Sequence, residues 1–539
     1  MAGLLVLLLS SAVASIALPH HDHEARGTSV KLDVPTSLAG ASIEHSPSFS
    51  SFSIETAFFV EFVGTASEPN ELFFKLLSHI TERGGRPILR PGGITMDSLI
   101  FDPAGGDLER TMGPNGEVYR STVGPAYFES WATLPEEVSF ISTLNFGNNS
   151  LQIAADLATA SVKYQAGRIQ FLELGNEPNN YPNDRWKNST QAYVDQWKNW
   201  TASIDQAVAE VSVVSRGSQE TLRWWASSAT TDNTPLKVRP VDLIEKGIDS
   251  EQQVGQFSIH SYVYNTCNPS DAAKATVENL LNHTQIISFA EEEVAPSARA
   301  AAGDGKPWVM GEFNSIACSG KPGVSDTFTQ ALWMIDTQLA YAVLNATAVF
   351  QHQGATLVLQ SDKQTNTPGF STYSFVYPRD SDKHGEARAN PSYAGLLFLT
   401  EVFSQPKTRI LPLEAPAGLD PDRFSGYVMY QGDEPTKLVL LNLEPYYLNS
   451  TTDFSINVDI SSYIEETKLS SPRVNMKRLT APSIDETDSN KVTWAGQSFK
   501  NGDSTGYVEI EQLSTDNIVK VRGSEGVIVF LREDSVYRL

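Results

Sequence analysis

Two glutamates are placed where they could do chemistry. Phe171-Leu-Glu-Leu-Gly-Asn176-Glu177-Pro178 reads as a short apolar strand that halts at a proline, a residue with no amide N–H to continue a sheet. Trp308-Val-Met-Gly-Glu312-Phe-Asn-Ser315 is a second apolar strand, ending in glutamate and running into a polar loop. One acidic residue at a strand end is usually a solvated surface group. Two such groups are what hydrolysis of a glycosidic bond requires: one protonates the departing oxygen, and the other attacks the anomeric carbon or activates water. The competing reading for each is a buried or rim salt bridge. Glu173 shares the strand face of Glu177 but lies deeper, where a structural, hydrogen-bonded acid is expected.

Carboxylates at strand ends need a scaffold that gathers strand ends. Eight candidate strands occur between residues 49 and 400: Phe49–Glu55, Arg86–Gly92, Val138–Phe146, Ile169–Gly175, Leu222–Ser227, Phe257–Tyr264, Trp308–Glu312 and Ala348–Gln351. Between them lie stretches with helical spacing of apolar residues, among them Glu71–Arg83, Gln191–Val211, Ala272–Phe289 and Thr327–Val343. Strands alternating with helices predict a parallel sheet of βα units, and eight of them an α/β fold of the (β/α)8 TIM-barrel type. Its chemistry sits at the carboxyl ends of the strands, where Glu177 follows strand four and Glu312 ends strand seven.

Past residue 400 the helical period gives way to short alternating strands such as Gly426–Tyr430, Lys437–Leu443, Phe454–Val458, Ile518–Arg522 and Gly526–Leu531. Residues 401–539 are therefore expected to form an antiparallel β-sandwich domain. Residues 28–45 alternate like an antiparallel strand, so segment 18–48 is expected to add a strand to that domain before the barrel of 49–400 begins.

At 539 residues the chain exceeds what a single core usually supports. Its net charge of −24 and pI near 4.8 exclude a nucleic-acid partner, whose phosphates need a basic surface. Residues 1–17 combine a short apolar run with small residues and read as a signal peptide. The run is too short to span a membrane, and the mature protein is expected to be extracellular with no membrane association. Sequons at Asn148, Asn188, Asn199, Asn282, Asn345 and Asn449 fit the same route. The two cysteines, Cys267 and Cys318, both lie just beyond strand ends and are expected to form a disulfide in an oxidising compartment. The cluster His20-His21-Asp22-His23 could bind a metal but lies at a terminus. No metal or other cofactor is expected.

Several stretches carry a family resemblance: Phe52-Ser-Ile-Glu55, Leu89-Arg-Pro-Gly-Gly93, Gly175-Asn-Glu-Pro178, Met310-Gly-Glu-Phe-Asn-Ser315, Pro322-Gly-Val-Ser-Asp326, Arg478-Leu-Thr-Ala-Pro-Ser483 and Val492-Thr-Trp-Ala-Gly-Gln497. With them the chain resembles family 79 of the glycoside hydrolases, within the clan of retaining (β/α)8 enzymes. The resemblance implies a retaining mechanism with Glu177 as general acid/base and Glu312 as nucleophile. It implies that Asn176 contacts the sugar 2-hydroxyl, that Glu55 holds the far hydroxyls, and that Tyr262 sits near the nucleophile or the sugar C6 group. Its members are chiefly β-glucuronidases, and this chain is similar to the fungal exo-acting branch, so the expected partner is a glucuronide or a glycan containing glucuronic acid. Candidate donors to a uronate carboxylate are Tyr262, Tyr264, Ser319-Gly320 with Lys321, Tyr373 and Tyr377. His260 and His352 are expected to hydrogen-bond near the site. Arg90 has two open readings, a core ion-pair partner or the group that keeps Glu312 ionised. The alternatives are the same machinery on a neutral β-glucoside or β-xyloside and, from a different class, a non-catalytic carbohydrate-binding protein.

Overall fold

The computed structural model describes residues 29–113, 118–165, 167–182, 184–215, 222–230, 234–356, 369–467 and 474–532; the leader and the His20–His23 cluster lie outside these residues. Eight strands form the barrel: β1 (Ser50–Glu55), β2 (Ile88–Gly92), β3 (Ser139–Leu144), β4 (Ile169–Leu174), β5 (Arg223–Ala229), β6 (Val254–Asn265), β7 (Trp308–Ala317) and β8 (Ala346–Gln353). They pair in chain order, all parallel, and β8 closes on β1. Ile88, Ile141, Phe171, Trp225, Val309, Ala348 and Phe350 fill the lumen below the site, with Trp225 edge-on to Phe350 at 5.0 Å. The barrel is thus floored by packed side chains, and polar groups gather only above that floor.

Two bulges at the upper rim change which side chains face inward. Ile259 lies opposite Met310 and the next residue, His260, lies opposite Glu312, which leaves Gly311 as the extra residue. A Cβ on Gly311 would lie 2.1 Å from the Ser258 hydroxyl, so only glycine fits. Strict alternation would send Glu312 outward with Met310, and the bulge turns it into the lumen. On β5, Ser258 faces Ser227 and Ile259 faces Ala229. Ser228 is the extra residue there, and both serines have positive φ, +80° and +51°.

One expected helix is broken. The stretch Ala272–Phe289 divides into Pro269–Lys274, Val277–Leu280 and His283–Phe289, because Asn268, Thr276 and Asn282 each accept a backbone N–H and start a new helix. Apolar spacing continues across these restarts, and the capping residues decide the boundaries.

Beyond the barrel lies a sheet of Thr408–Leu413, Phe424–Gln431, Glu434–Asn442, Glu525–Phe530, Asn475–Thr480 and Thr493–Trp494 in spatial order, with Glu511–Gln512 paired to Asn475–Thr480. A three-stranded sheet of Val30–Lys31, Ile456–Asp459 and Ile518–Val521 covers it. The early strand is only two residues long and pairs parallel with Ile456–Asp459, contrary to the antiparallel strand expected over 28–45. Leu32 and Val34 then anchor the chain in the core between the two sheets, and Pro35, lacking an N–H, follows.

The large sheet is apolar on both faces. Val428, Leu438, Leu440, Val527 and Val529 face the small sheet. Their neighbours Tyr427, Met429, Val439, Leu441, Ile528 and Phe530 face the barrel. Helices α1 (Phe328–Val343) and α2 (Ser392–Val402) lie in that seam and are buried on nearly every side. A polar knot crosses the seam: Asp336 of α1 bonds His283 Nδ1 at 2.8 Å, the Ser425 hydroxyl at 2.6 Å and the Tyr427 hydroxyl at 2.8 Å.

Burial would raise the Asp336 carboxyl, but the His283 charge and these three hydrogen bonds outweigh it and hold it below 3.8. Burial would lower His283, and Asp336 outweighs that, holding the imidazole above 6.5. The Asp336 contribution to stability is therefore present above pH 3.8 and lost as pH falls through its lower folded value. The His283 contribution is present below pH 6.5 and lost as pH rises through its higher folded value. Asp336→Ala leaves buried donors unpaired and is expected to cost about 3–5 kcal/mol, with the difference from wild type largest between these limits. Denaturant midpoints measured at pH 3, 5 and 8 check this, and a pH-independent difference would contradict it.

Candidate active site

A buried guanidinium organises the mouth of the barrel. Arg90 on β2 is fully buried, and it grips Glu173 on β4 with Nε at 2.5 Å and Nη2 at 3.1 Å. Its Nη1 donates to Ser53 at 2.9 Å and to Glu312 at 2.9 Å, while Nη2 also donates to Asn176 Oδ1 at 3.0 Å. Arg90 is thus ion-paired with Glu173 and with Glu312 at once. Glu173 also accepts from Thr143 and Ser228, so it is saturated and faces away from the cleft.

Glu177 lies just past β4 in a left-handed conformation, with φ +49°. Its amide donates to the Ser228 carbonyl at 2.9 Å, its Oε2 accepts from Asn180 at 3.0 Å, and its Oε1 lies 3.3 Å from His260 Nδ1. His260 Nδ1 faces Glu177, and among the described residues its Nε2 has no hydrogen-bond partner. On the opposite side, Glu312 accepts from the Tyr262 hydroxyl at 2.9 Å. His352 Nδ1 lies 3.7 Å from Glu312, and its Nε2 lies 3.5 Å from Glu55. Glu55 is held by the amide and hydroxyl of Thr95.

The two glutamates titrate in opposite directions. Burial, reinforced by the Glu312 charge, pushes Glu177 well above the ordinary carboxyl range. Burial pushes Glu312 the same way, but His352, His260, Arg90 and the Tyr262 hydrogen bond reverse it and hold Glu312 well below that range. Of these, burial lowers His260 to about 4 and leaves it neutral at higher pH, whereas Arg90 and the raised His352 remain charged partners. The site therefore holds one protonated and one ionised carboxyl group side by side. One can give a proton while the other attacks or stabilises positive charge.

These groups line a cleft of about 310 Å³. Of the sequence candidates, Glu55, Asn176, Glu177, His260, Tyr262, Tyr264, Glu312, Ser319, His352 and Tyr373 all line it. Tyr377 does not. It is buried behind the wall, stacked on His384 at 3.9 Å, because its short strand Val376–Tyr377 pairs with Arg388–Ala389 and turns the ring inward. Lys321 is also turned away: its ammonium donates to the carbonyls of Ala272 and Ala275, each at 2.8 Å. Asn180, Thr95 and Thr230 join the lining without having been singled out, as short polar residues in loops whose only signal is closeness to a strand end.

Glu177, His260 and Glu312 bring potential ligand atoms within 4.8 Å of one another, a set that could take a divalent cation. Arg90 already supplies the positive charge on Glu312, so the electrostatics favour a catalytic pair over a metal centre. Cys267 and Cys318 form a disulfide that ties the loop after β6 to the loop after β7. Cys318 and Ser319 both have positive φ there, +60° and +72°, at the cleft wall.

Residues 426–528 match the family model described as the glycosyl hydrolase family 79 C-terminal beta domain. The chain is similar to a β-glucuronidase of Aspergillus niger, 26% identical over 562 aligned residues that cover 97% of this chain and 96% of that protein. It is similar to a β-glucuronidase of Neurospora crassa at 26% identity, covering 74% of this chain and 72% of that one. Among solved structures, a 4-O-α-L-rhamnosyl-β-D-glucuronidase from Fusarium oxysporum superposes with a TM-score of 0.75 at 20% identity, covering 93% of this chain and 100% of that one. A family 51 α-L-arabinofuranosidase from Bifidobacterium longum superposes with a TM-score of 0.55 at 13% identity, covering 93% and 98%; at such identities the likeness is one of fold. With that fold, a family 79 type of C-terminal β domain and relatives aligned along the sequence, the chain is a glycoside hydrolase similar to members of family 79.

Proposed function

We propose that this enzyme is a secreted, retaining exo-β-glucuronidase, with Glu177 as general acid/base and Glu312 as nucleophile. One observation carries the reading: carboxyl oxygens of the two residues lie within 4.8 Å of each other. Retaining sites have their carboxyl groups about 5–5.5 Å apart, whereas inverting sites need about 6.5–9.5 Å to admit a water. Glu312 attacks the anomeric carbon while Glu177 hands its proton to the departing oxygen, leaving a glycosyl ester on Glu312. Esterification removes the Glu312 charge, so Glu177, now a carboxylate, is freed from that repulsion and takes a proton from the attacking water. The sugar leaves with its configuration retained.

A cleft of about 310 Å³ is near the low end of the roughly 300–1,000 Å³ of small-molecule sites, which suits one terminal sugar ring. Glucuronate is favoured because both curated relatives are β-glucuronidases. Its carboxylate would be received by neutral donors, with Tyr373 and Ser319 as candidates, since the described lining contains no lysine or arginine and the Tyr262 hydroxyl is given to Glu312. That same feature supports a second reading, a neutral β-glucoside or β-xyloside. Secretion is supported by the apolar leader, the disulfide and the exposure of Asn148, Asn188, Asn199, Asn345 and Asn449, Asn282 being half-buried. No helix among the described residues is long and apolar enough to cross a membrane.

The sugar is tested by kcat/KM on p-nitrophenyl β-glucuronide, β-glucoside and β-xyloside, with the glucuronide expected to lead; a ratio at or above unity for either neutral sugar promotes the second reading. The roles are tested by two variants. Glu312→Ala should abolish turnover, and azide or formate should restore it with an inverted product. Glu177→Ala should spare substrates with acidic leaving groups, and a loss independent of leaving-group pKa would remove its assignment as acid. A further variant, Arg90→Lys, keeps a charge but not the fork that serves Glu173, Ser53, Asn176 and Glu312 together. Glu312 should then rise toward the ordinary range and carry the acid limb of kcat/KM to higher pH; a pH–rate profile with an unmoved limb contradicts this.

A further inference from the structure

The turn Gly175-Asn176-Glu177 holds two left-handed residues, at φ +83° and +49°. A non-glycine residue keeps such a conformation only where its surroundings over-determine it. Backbone bonds supply part of the support: the amides of Gly175 and Glu177 donate to Leu144 and Ser228, and the Asn180 amide donates back to Glu177. The Asn176 amide, between them, is met by side chains. Asp97 Oδ2 and the Tyr181 hydroxyl each lie 3.3 Å from it, and these two groups hydrogen-bond each other.

Asp97 lies in the 3-10 turn after β2, and its other oxygen accepts from the amides of Phe146 and Gly147, past β3, at 3.2 and 3.0 Å. One carboxylate thus ties the ends of three neighbouring strands. The fit is close: a Cβ on Gly147 would lie 2.5 Å from the Asp97 Cβ, and one on Gly175 would lie 2.7 Å from the Tyr181 hydroxyl. Arg185 seals the clamp from outside, its guanidinium over Phe146 at 4.2 Å and over Tyr181 at 5.3 Å.

We propose that Asp97 and Tyr181 are positioning residues for the acid/base: by holding the Asn176 amide they keep the Glu177 carboxyl aimed at the departing oxygen. This rests on the reading of Glu177 as the acid/base. Neither residue touches the reacting atoms, and the Asn176 side chain is held separately by Arg90, so their loss should act on proton delivery and leave sugar binding alone.

The test uses Tyr181→Phe, which removes one hydroxyl from the clamp, and Asp97→Asn, which keeps the shape of the side chain. Both are assayed with Glu177→Gln across a series of aryl β-glycosides graded by leaving-group pKa, on the sugar that wild type turns over fastest, with Tm recorded. The expected result for each clamp variant is a roughly 10–100-fold fall in kcat for the poorest leaving group. That fall should shrink as the leaving group becomes more acidic, with KM held within about twofold. A uniform loss across the series, or an unchanged kcat with only a lowered Tm, overturns the proposal. If Glu177→Gln shows the steep dependence and the clamp variants do not, this inference fails alone; if Glu177→Gln is itself flat, the acid/base reading falls and the clamp with it.

Discussion

The architecture of the site follows from the need to neutralise one buried charge. Arg90 has no access to water, and an unpaired guanidinium there would cost several kcal/mol even after relaxation. Glu173 answers that charge below, at the level of the packed floor, and Glu312 answers it above, at the cleft. One arginine facing two carboxylates leaves negative charge, and His352, held above its ordinary value despite burial, stands between Glu312 and Glu55 as the second cationic group. A further ionised carboxyl at Glu177 would have no compensating cation of its own, and burial beside Glu312 keeps it protonated.

Rigidity of this arrangement depends on what stands behind the barrel. Strands β7 and β8 are backed by α1, and β1 by α2, and both helices are enclosed by the large sheet of the β domain. The seam is fixed by polar groups as well as by area: Lys477 meets Glu401 at 2.8 Å, and Trp494 donates its indole N–H to the same carboxylate at 2.9 Å. Trp494 is the centre of the stretch Val492–Gln497, so part of the family signature outside the barrel acts on α2 and not on substrate. A wall held this way lets the cleft present fixed dipoles to a reacting sugar without reorganising at the moment of reaction.

The strands and the paired glutamates were legible because both depend on local signals, an apolar run and what ends it. Glu173 and Glu177 were separable by depth alone, since the strand period places both on one face. Glu312 was found as the expected end of an apolar strand, whereas β7 runs on to Ala317 and its alternation taken strictly points Glu312 outward. The bulge that turns it inward places Gly311 against Ser258 of the neighbouring strand, a tertiary fact that one strand does not encode. The same limit explains Lys321 and Tyr377. Each lies near a strand end in sequence, but the carbonyls of Ala272 and Ala275 capture one and a short hairpin turns the other. The broken helix over 272–289 is a case where the signals were present: Thr276 and Asn282 are capping types, and apolar periodicity masked them.

An anionic substrate makes the charge balance do a second task. Under the proposed reading, a uronate carboxylate enters a cleft that already contains Glu55, Glu177 and Glu312, on a chain of net charge −24. A lysine or arginine in the lining would welcome it, but would also act on Glu177 and lower the pKa that keeps its proton in place. Neutral hydroxyl donors avoid that conflict. Burial raises the Tyr373 hydroxyl well above its ordinary value, so it remains a protonated donor throughout the range in which Glu177 carries its proton. Such donors stabilise a buried carboxylate through short-range hydrogen bonds, with far less reach than a full charge. Recognition of the substrate's charge and preservation of the acid's proton can then coexist within one small cleft, because the first is local and the second depends on the summed field.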